Sequence, residues 1–149
     1  MSTNTDIAKL DDLIVTTIDS IKGYEHSAEH ADRDRYTEFF IAMAADRRHV
    51  VEALSARSRE LGGTPADYGS TAGTIHRRIE DLRRALGGGD KAILSEIERG
   101  EDYLKEEFER AIADKNISSG TNGVIQVCFD SVIRGHDRAK QLKESLAAA

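Results

Sequence analysis

Asp34 to Gly63 reads DRYTEFFIAMAADRRHVVEALSARSRELGG, and the spacing of its apolar residues decides the fold. Tyr36, Phe40, Met43, Val50, Leu54 and Leu61 recur at the three-, four- and seven-residue intervals of one helix face. Gly62 and Gly63 then stand where a left-handed C-cap ends a helix. Working outward, Ile7, Leu10, Ile14, Ile18, Ile21 and Ala28 predict a first helix over about 5–31, antiparallel to the second through a turn near Asp32. Ile93, Leu94, Ile97, Leu104, Phe108 and Ile112 predict a third long helix over about 90–114, with Asp90 as its cap. Ile125, Cys128, Phe129, Val132, Ala139 and Leu142 predict a last one over about 121–146.

No segment alternates with period two, so no sheet is expected. Ser70 can cap a shorter helix over about 71–86, with Ile75, Ile79, Leu82 and Leu86 on one face. The expected architecture is a single all-α domain over residues 1–149: a four-helix bundle of two up-down hairpins, joined by a long crossover that carries a short fifth helix.

The 149 residues suffice for one domain that folds without disulfides or structural metal. Charged residues make up 32% and aromatics 5%, with one proline and no tryptophan, which excludes collagen-like chains and favours helix. The net charge of −6 argues against a general nucleic-acid binder. The lone Cys128, the absence of a basic and apolar leader in MSTNTDIAKLDDLI, and the lack of a long uncharged apolar run point to a cytoplasmic protein with no membrane association.

Ionisable residues on the apolar stripes are the candidates for chemistry, because a buried charge must be paired, neutralised or bound. At 100° per residue, Glu25 falls about 20° from Ile14, while Glu101 and His136 fall about 40° from Ile97 and Val132. Asp46, His49 and Glu98 lie on the flanks of their stripes. Counting from the hairpin turns at 1.5 Å per residue brings Glu101 and Glu98 level with His136 but leaves Glu25 about 9 Å from Asp46. Gly23, Gly100 and Gly135 sit inside predicted helices, at about 1 kcal/mol each relative to alanine. Close approach of neighbouring helices is the favoured explanation.

Spaced residues across the chain carry a family resemblance. They are Leu61-Gly62-Gly63-Thr64-Pro65, Gly69-Ser70, Ala72-Gly73, His76-Arg77, Asp81-Leu82, Gly88-Gly89-Asp90, Ala92-Ile93-Leu94 and Glu98-Arg99-Gly100-Glu101-Asp102. Asp12-Leu13-Ile14, Gly23-Tyr24 and His136-Asp137-Arg138 extend it. The chain resembles a bacterial ferritin-like family of undefined function and about this length, associated with stress-induced proteins. The resemblance implies a ferritin-like bundle. Di-iron members of that wider superfamily use a Glu from each of two helices and Glu-x-x-His from each of the others. Carried over, Glu25 serves on the first helix, Asp46-x-x-His49 is a shortened pair on the second, and Glu98 or Glu101 serves on the third long one. On the last, His136 is present but Ile133 stands where Glu is required, so a complete ferroxidase or di-iron oxidase is not expected.

Two functional readings follow. In the first, Glu98, Glu101 and His136, supported by Glu25, Asp46 and His49, hold one iron, manganese or zinc ion. In the second, the same residues form a metal-free polar network in a non-catalytic interaction protein, with Glu101 or Glu98 accepting from His136 or Arg138 and Glu25 held by Tyr36 or an arginine. Other features read more plainly. The arginines of RRIEDLRR (77–84) form a solvated face, Gly87–Gly89 is a turn, and Cys128 and Met43 fill the core. Leu13, Val15 and Val51 are expected to leave an apolar strip for a homodimer.

Overall fold

A computed structural model describes residues 3–30, 34–70 and 90–148, together with Arg77, Glu80, Asp81 and Arg84. Four helices make up its regular structure: α1 (Thr3–His30), α2 (Asp34–Glu60), α3 (Asp90–Ala113) and α4 (Ser119–Ala148). All four lie within a few residues of their expected bounds, and no strand occurs among the described residues. The expected helix over 71–86 falls largely outside them.

The core sorts into two clusters that fix the direction of each helix. One joins the first half of α1 (Leu10, Leu13, Ile14) to the second half of α2 (Val50, Leu54), the second half of α3 (Leu104, Phe108) and the first half of α4 (Ile125, Val132). The other joins Ile21 and Tyr24 to Tyr36–Ala44 of α2, Ile93–Ile97 of α3 and Ala139 of α4. Hence α1 and α4 run one way, α2 and α3 the other. Parallel α2 and α3 need the chain to travel back along the bundle between them, as the crossover expectation requires. Its opening arm follows α1: Gly63 lies on Ile7, the Ala66 amide donates to Asp11 (3.3 Å), and the Ser70 amide donates to Asp19 (2.8 Å).

Local chemistry ends the helices where the sequence places the signals. Gly62 is left-handed (φ 88°), and the amides of Gly63 and Gly62 donate to the carbonyls of Ser58 (2.8 Å) and Arg59 (2.9 Å). That bond pair is a Schellman cap, which only glycine enters without strain. At the other hairpin Ser118 caps α4, and the Asn122 side chain donates to the Ile112 carbonyl left open at the end of α3 (2.8 Å).

Of the three residues expected to leave an apolar strip for a homodimer, Leu13 is buried in the aliphatic cluster, Val51 is half-buried and packs against both clusters, and Val15 is half-buried, so Leu13 does not belong to a surface strip. Leu13 sits on an inward position of a heptad-like stripe, which a helical wheel alone does not separate from its flank.

Candidate functional site

The middle of the bundle holds a charge network built on α1, α2 and α3. Arg47 is fully buried on α2, with Met43 one turn before it and Val50 one turn after. Its guanidinium donates to both oxygens of Glu101 on α3, Nη2 to Oε2 at 2.6 Å and Nη1 to Oε1 at 3.2 Å. The Tyr24 hydroxyl of α1 donates to the same Oε1. A fork of this kind suits arginine and not lysine, because both N–H vectors meet a carboxylate in one plane. Burial pushes the Glu101 pKa above its ordinary value, against the pull of the Arg47 charge and the Tyr24 hydroxyl. Burial, then the neighbouring carboxylate, raises Tyr24 well above a free phenol, so it stays a donor.

Glycines on α4 make room for arginines of α2. A Cβ at Gly135 would stand 2.4 Å from Met43 Cε and 2.5 Å from Arg47 Nη2. One at Gly120 would stand 2.7 Å from Arg57 Nη2. Close approach therefore explains Gly135, and the neighbour it admits is a guanidinium. It does not explain Gly23 or Gly100, where an added Cβ meets nothing within 4 Å. Those two line a crevice of about 400 Å³ between α1 and α3, with Tyr24 and Glu101 also in its walls.

The six candidate ligands do not come together. Glu101 is spent on Arg47 and Tyr24. His136 is buried on α4, but its Nε2 meets Asp102, the neighbour of Glu101, at 2.6 Å. Glu98 pairs with Lys143 of α4 at 3.0 Å. Glu25 is half exposed and pairs with Arg48 at 3.0 Å, as one reading of the sequence expected of an arginine. Asp46 is exposed, and His49 is 78% exposed and pairs with Glu52 on its own helix. Among the described residues no three of His, Cys, Asp and Glu converge to hold a metal ion. The donors present thus do not fit a shared metal centre.

Arg47 and Tyr24, the partners of Glu101, are neither acids nor imidazoles. Arg47 could have been read from spacing, since Phe40, Met43, Arg47, Val50 and Leu54 follow a 3-4-3-4 pattern. Tyr24 follows Leu10 and Thr17 at seven-residue intervals, which puts it inward and Glu25 outward. Cys128 is buried as expected, which lifts its thiol to about 11, and Met43 is in the core. Asp81, from the arginine-rich stretch, pairs with Arg84 at 3.2 Å and approaches Arg99 of α3 at 3.9 Å.

Residues 5–114 match the family described as a domain of unknown function, DUF2383. The chain belongs to the DUF2383 family. The match spans α1 to α3 and so includes Tyr24, Arg47 and Glu101, while Gly135 and His136 lie beyond it. No curated protein matches this DUF2383 chain. Among the described residues no helix is long and apolar enough to cross a membrane.

Proposed function

We propose that this DUF2383 protein is a ferritin-like bundle that acts without catalysis, as a structural or interaction protein of the bacterial cytoplasm. The observation that carries the reading is the buried fork between Arg47 and Glu101, closed by the Tyr24 hydroxyl. In the ferritin-like pattern inward carboxylates are neutralised by metal. In this bundle the positive charge beside the inward Glu101 is a guanidinium, which offers no open coordination position. The hairpin order, with α2 and α3 parallel across a long crossover, supports the ferritin-like label. Association with stress rests on the resemblance of the spaced motifs alone.

The test is elemental analysis of untagged protein, purified without chelator and then exposed aerobically to ferrous iron. Far less than one metal ion per chain is expected before and after. Near-stoichiometric iron, manganese or zinc, lost in His136→Ala, would overturn the reading and place an ion among Glu98, Glu101 and His136.

A further inference from the structure

The crevice between α1 and α3 is unused by the charge network that forms its base. Its volume, about 400 Å³, lies in the range of preformed small-molecule sites, about 300–1,000 Å³. Ile97, Leu104, Tyr24 and Tyr103 give it an apolar body. Gly23 on one wall and Gly100 on the other keep it wide, and neither is needed for helix packing, since a Cβ at either meets nothing. A bundle selected for stability alone would favour alanine at both.

The charges around the crevice cancel. Among the described residues its walls carry Asp19, Asp81, Glu96 and Glu101. Lys22 and Arg99 also line it, while Arg84 and Arg47 neutralise Asp81 and Glu101. Glu96 pairs with Arg99 at 3.0 Å and Asp19 accepts from the Ser70 amide at 2.8 Å, so each lining carboxylate already has a partner and none is left to draw in a cation. Ser20 adds a hydroxyl to the lining. From this balance we propose that the crevice binds an uncharged, mostly apolar small organic molecule, seated between Gly23 and Gly100, with at most one or two hydrogen-bonding groups.

The probe is phenylnaphthylamine, a neutral dye that fluoresces when removed from water, titrated into the full-length protein. Its sulfonated counterpart, anilinonaphthalene sulfonate, tests the charge requirement on the same ring system. Wild-type protein is expected to bind the neutral dye at least as tightly as the sulfonated one. Gly100→Leu and Gly23→Leu, which push a side chain in from opposite walls, are expected to weaken it about tenfold or more. Gly123→Leu is the control, because that α4 glycine is also open but lies outside the crevice, and it should bind as wild type. Far-UV circular dichroism and Tm establish that each variant is folded; if one leucine variant is not, the other decides. No dye binding by wild type, unchanged binding in a folded Gly100→Leu or Gly23→Leu variant, or a clear preference for the sulfonated dye would each overturn the proposal.

Discussion

The two halves of this bundle solve the same packing problem with different materials. The half built on Leu10, Ile14, Leu54, Phe108, Ile125 and Val132 is aliphatic with a single phenylalanine pair, Phe108 stacked on Phe129 at 6.4 Å. The other half packs Tyr24, Phe39 and Phe40 edge-on and tilted within about 6 Å of one another, and at its inner margin lie Arg47 and Glu101. Apolar packing tolerates exchange of one hydrocarbon for another if volume is kept. A buried ion pair does not, because each member is a penalty without the other. The aliphatic half should therefore degrade gradually under substitution, the mixed half abruptly.

The sharpest way to break that contrast is Arg47→Met. It strands Glu101 in the core, and a loss of about 3–5 kcal/mol in urea denaturation is expected. Adding Glu101→Leu removes the stranded charge, and the double variant should regain more than half of the loss. Additive losses in the double variant would mean that the pair is not coupled. In the aliphatic half, Ile125→Val should lose only about 0.5–1.5 kcal/mol.

A smaller effect separates the glycines. Gly135→Ala drives a methyl into Met43 and into a guanidinium that Glu101 holds in place, so a loss of about 1–3 kcal/mol is expected. Gly100→Ala meets open space and should gain up to about 1 kcal/mol in helix propensity. Equal Tm changes for the two would contradict the packing assigned to Gly135.

At the far end of the aliphatic half, Asp6 of α1 binds the start of α4. Its carboxylate accepts from the Ser118 amide (3.0 Å) and hydroxyl and from the Thr121 hydroxyl (2.7 Å), which in turn accepts from Arg57 Nε (3.0 Å). Burial raises its pKa, but the hydrogen bonds from Ser118 and Thr121 and the Arg57 charge outweigh burial and hold it below the ordinary value of 3.8. A carboxyl depressed in the folded state stabilises above its unfolded pKa and loses that contribution as pH falls through its folded one. Asp6→Asn should therefore lose about 1–2 kcal/mol at pH 7, a loss that shrinks below about pH 4. A pH-independent difference would assign the effect to shape and not to charge.

The four long helices, their bounds and the hairpin order were legible because they rest on apolar spacing and on Gly62-Gly63, which act locally. The partners of the candidate residues were not, for two physical reasons. Hydrogen-bond partners such as Arg47 for Glu101 and Asp102 for His136 come from other helices, and a wheel drawn for one helix cannot show them. The long, flexible side chains of Arg48 and Lys143 also carry their charges to Glu25 and Glu98 across several ångströms, so level counting misjudges who meets whom.

Glu25 supplies the smallest and most discriminating effect. On a straight helix of 3.6 residues per turn it stands close to the Ile14 stripe, whereas in a bundle the stripe repeats every 3.5 residues. Leu10, Thr17 and Tyr24 occupy one heptad position of α1, Leu13 and Ser27 another, and Ile14 and Ile21 a third, all of them buried. Glu25 follows Tyr24 and so points away, half exposed beside the exposed Arg48. Ion pairs of that kind contribute about 0–1 kcal/mol. Glu25→Ala should therefore change stability by no more than about 0.5 kcal/mol, while Tyr24→Phe, which leaves Glu101 Oε1 with the longer Arg47 Nη1 bond, should lose about 1–3 kcal/mol. The reverse order would place the straight-helix count, and Glu25 with it, back in the core.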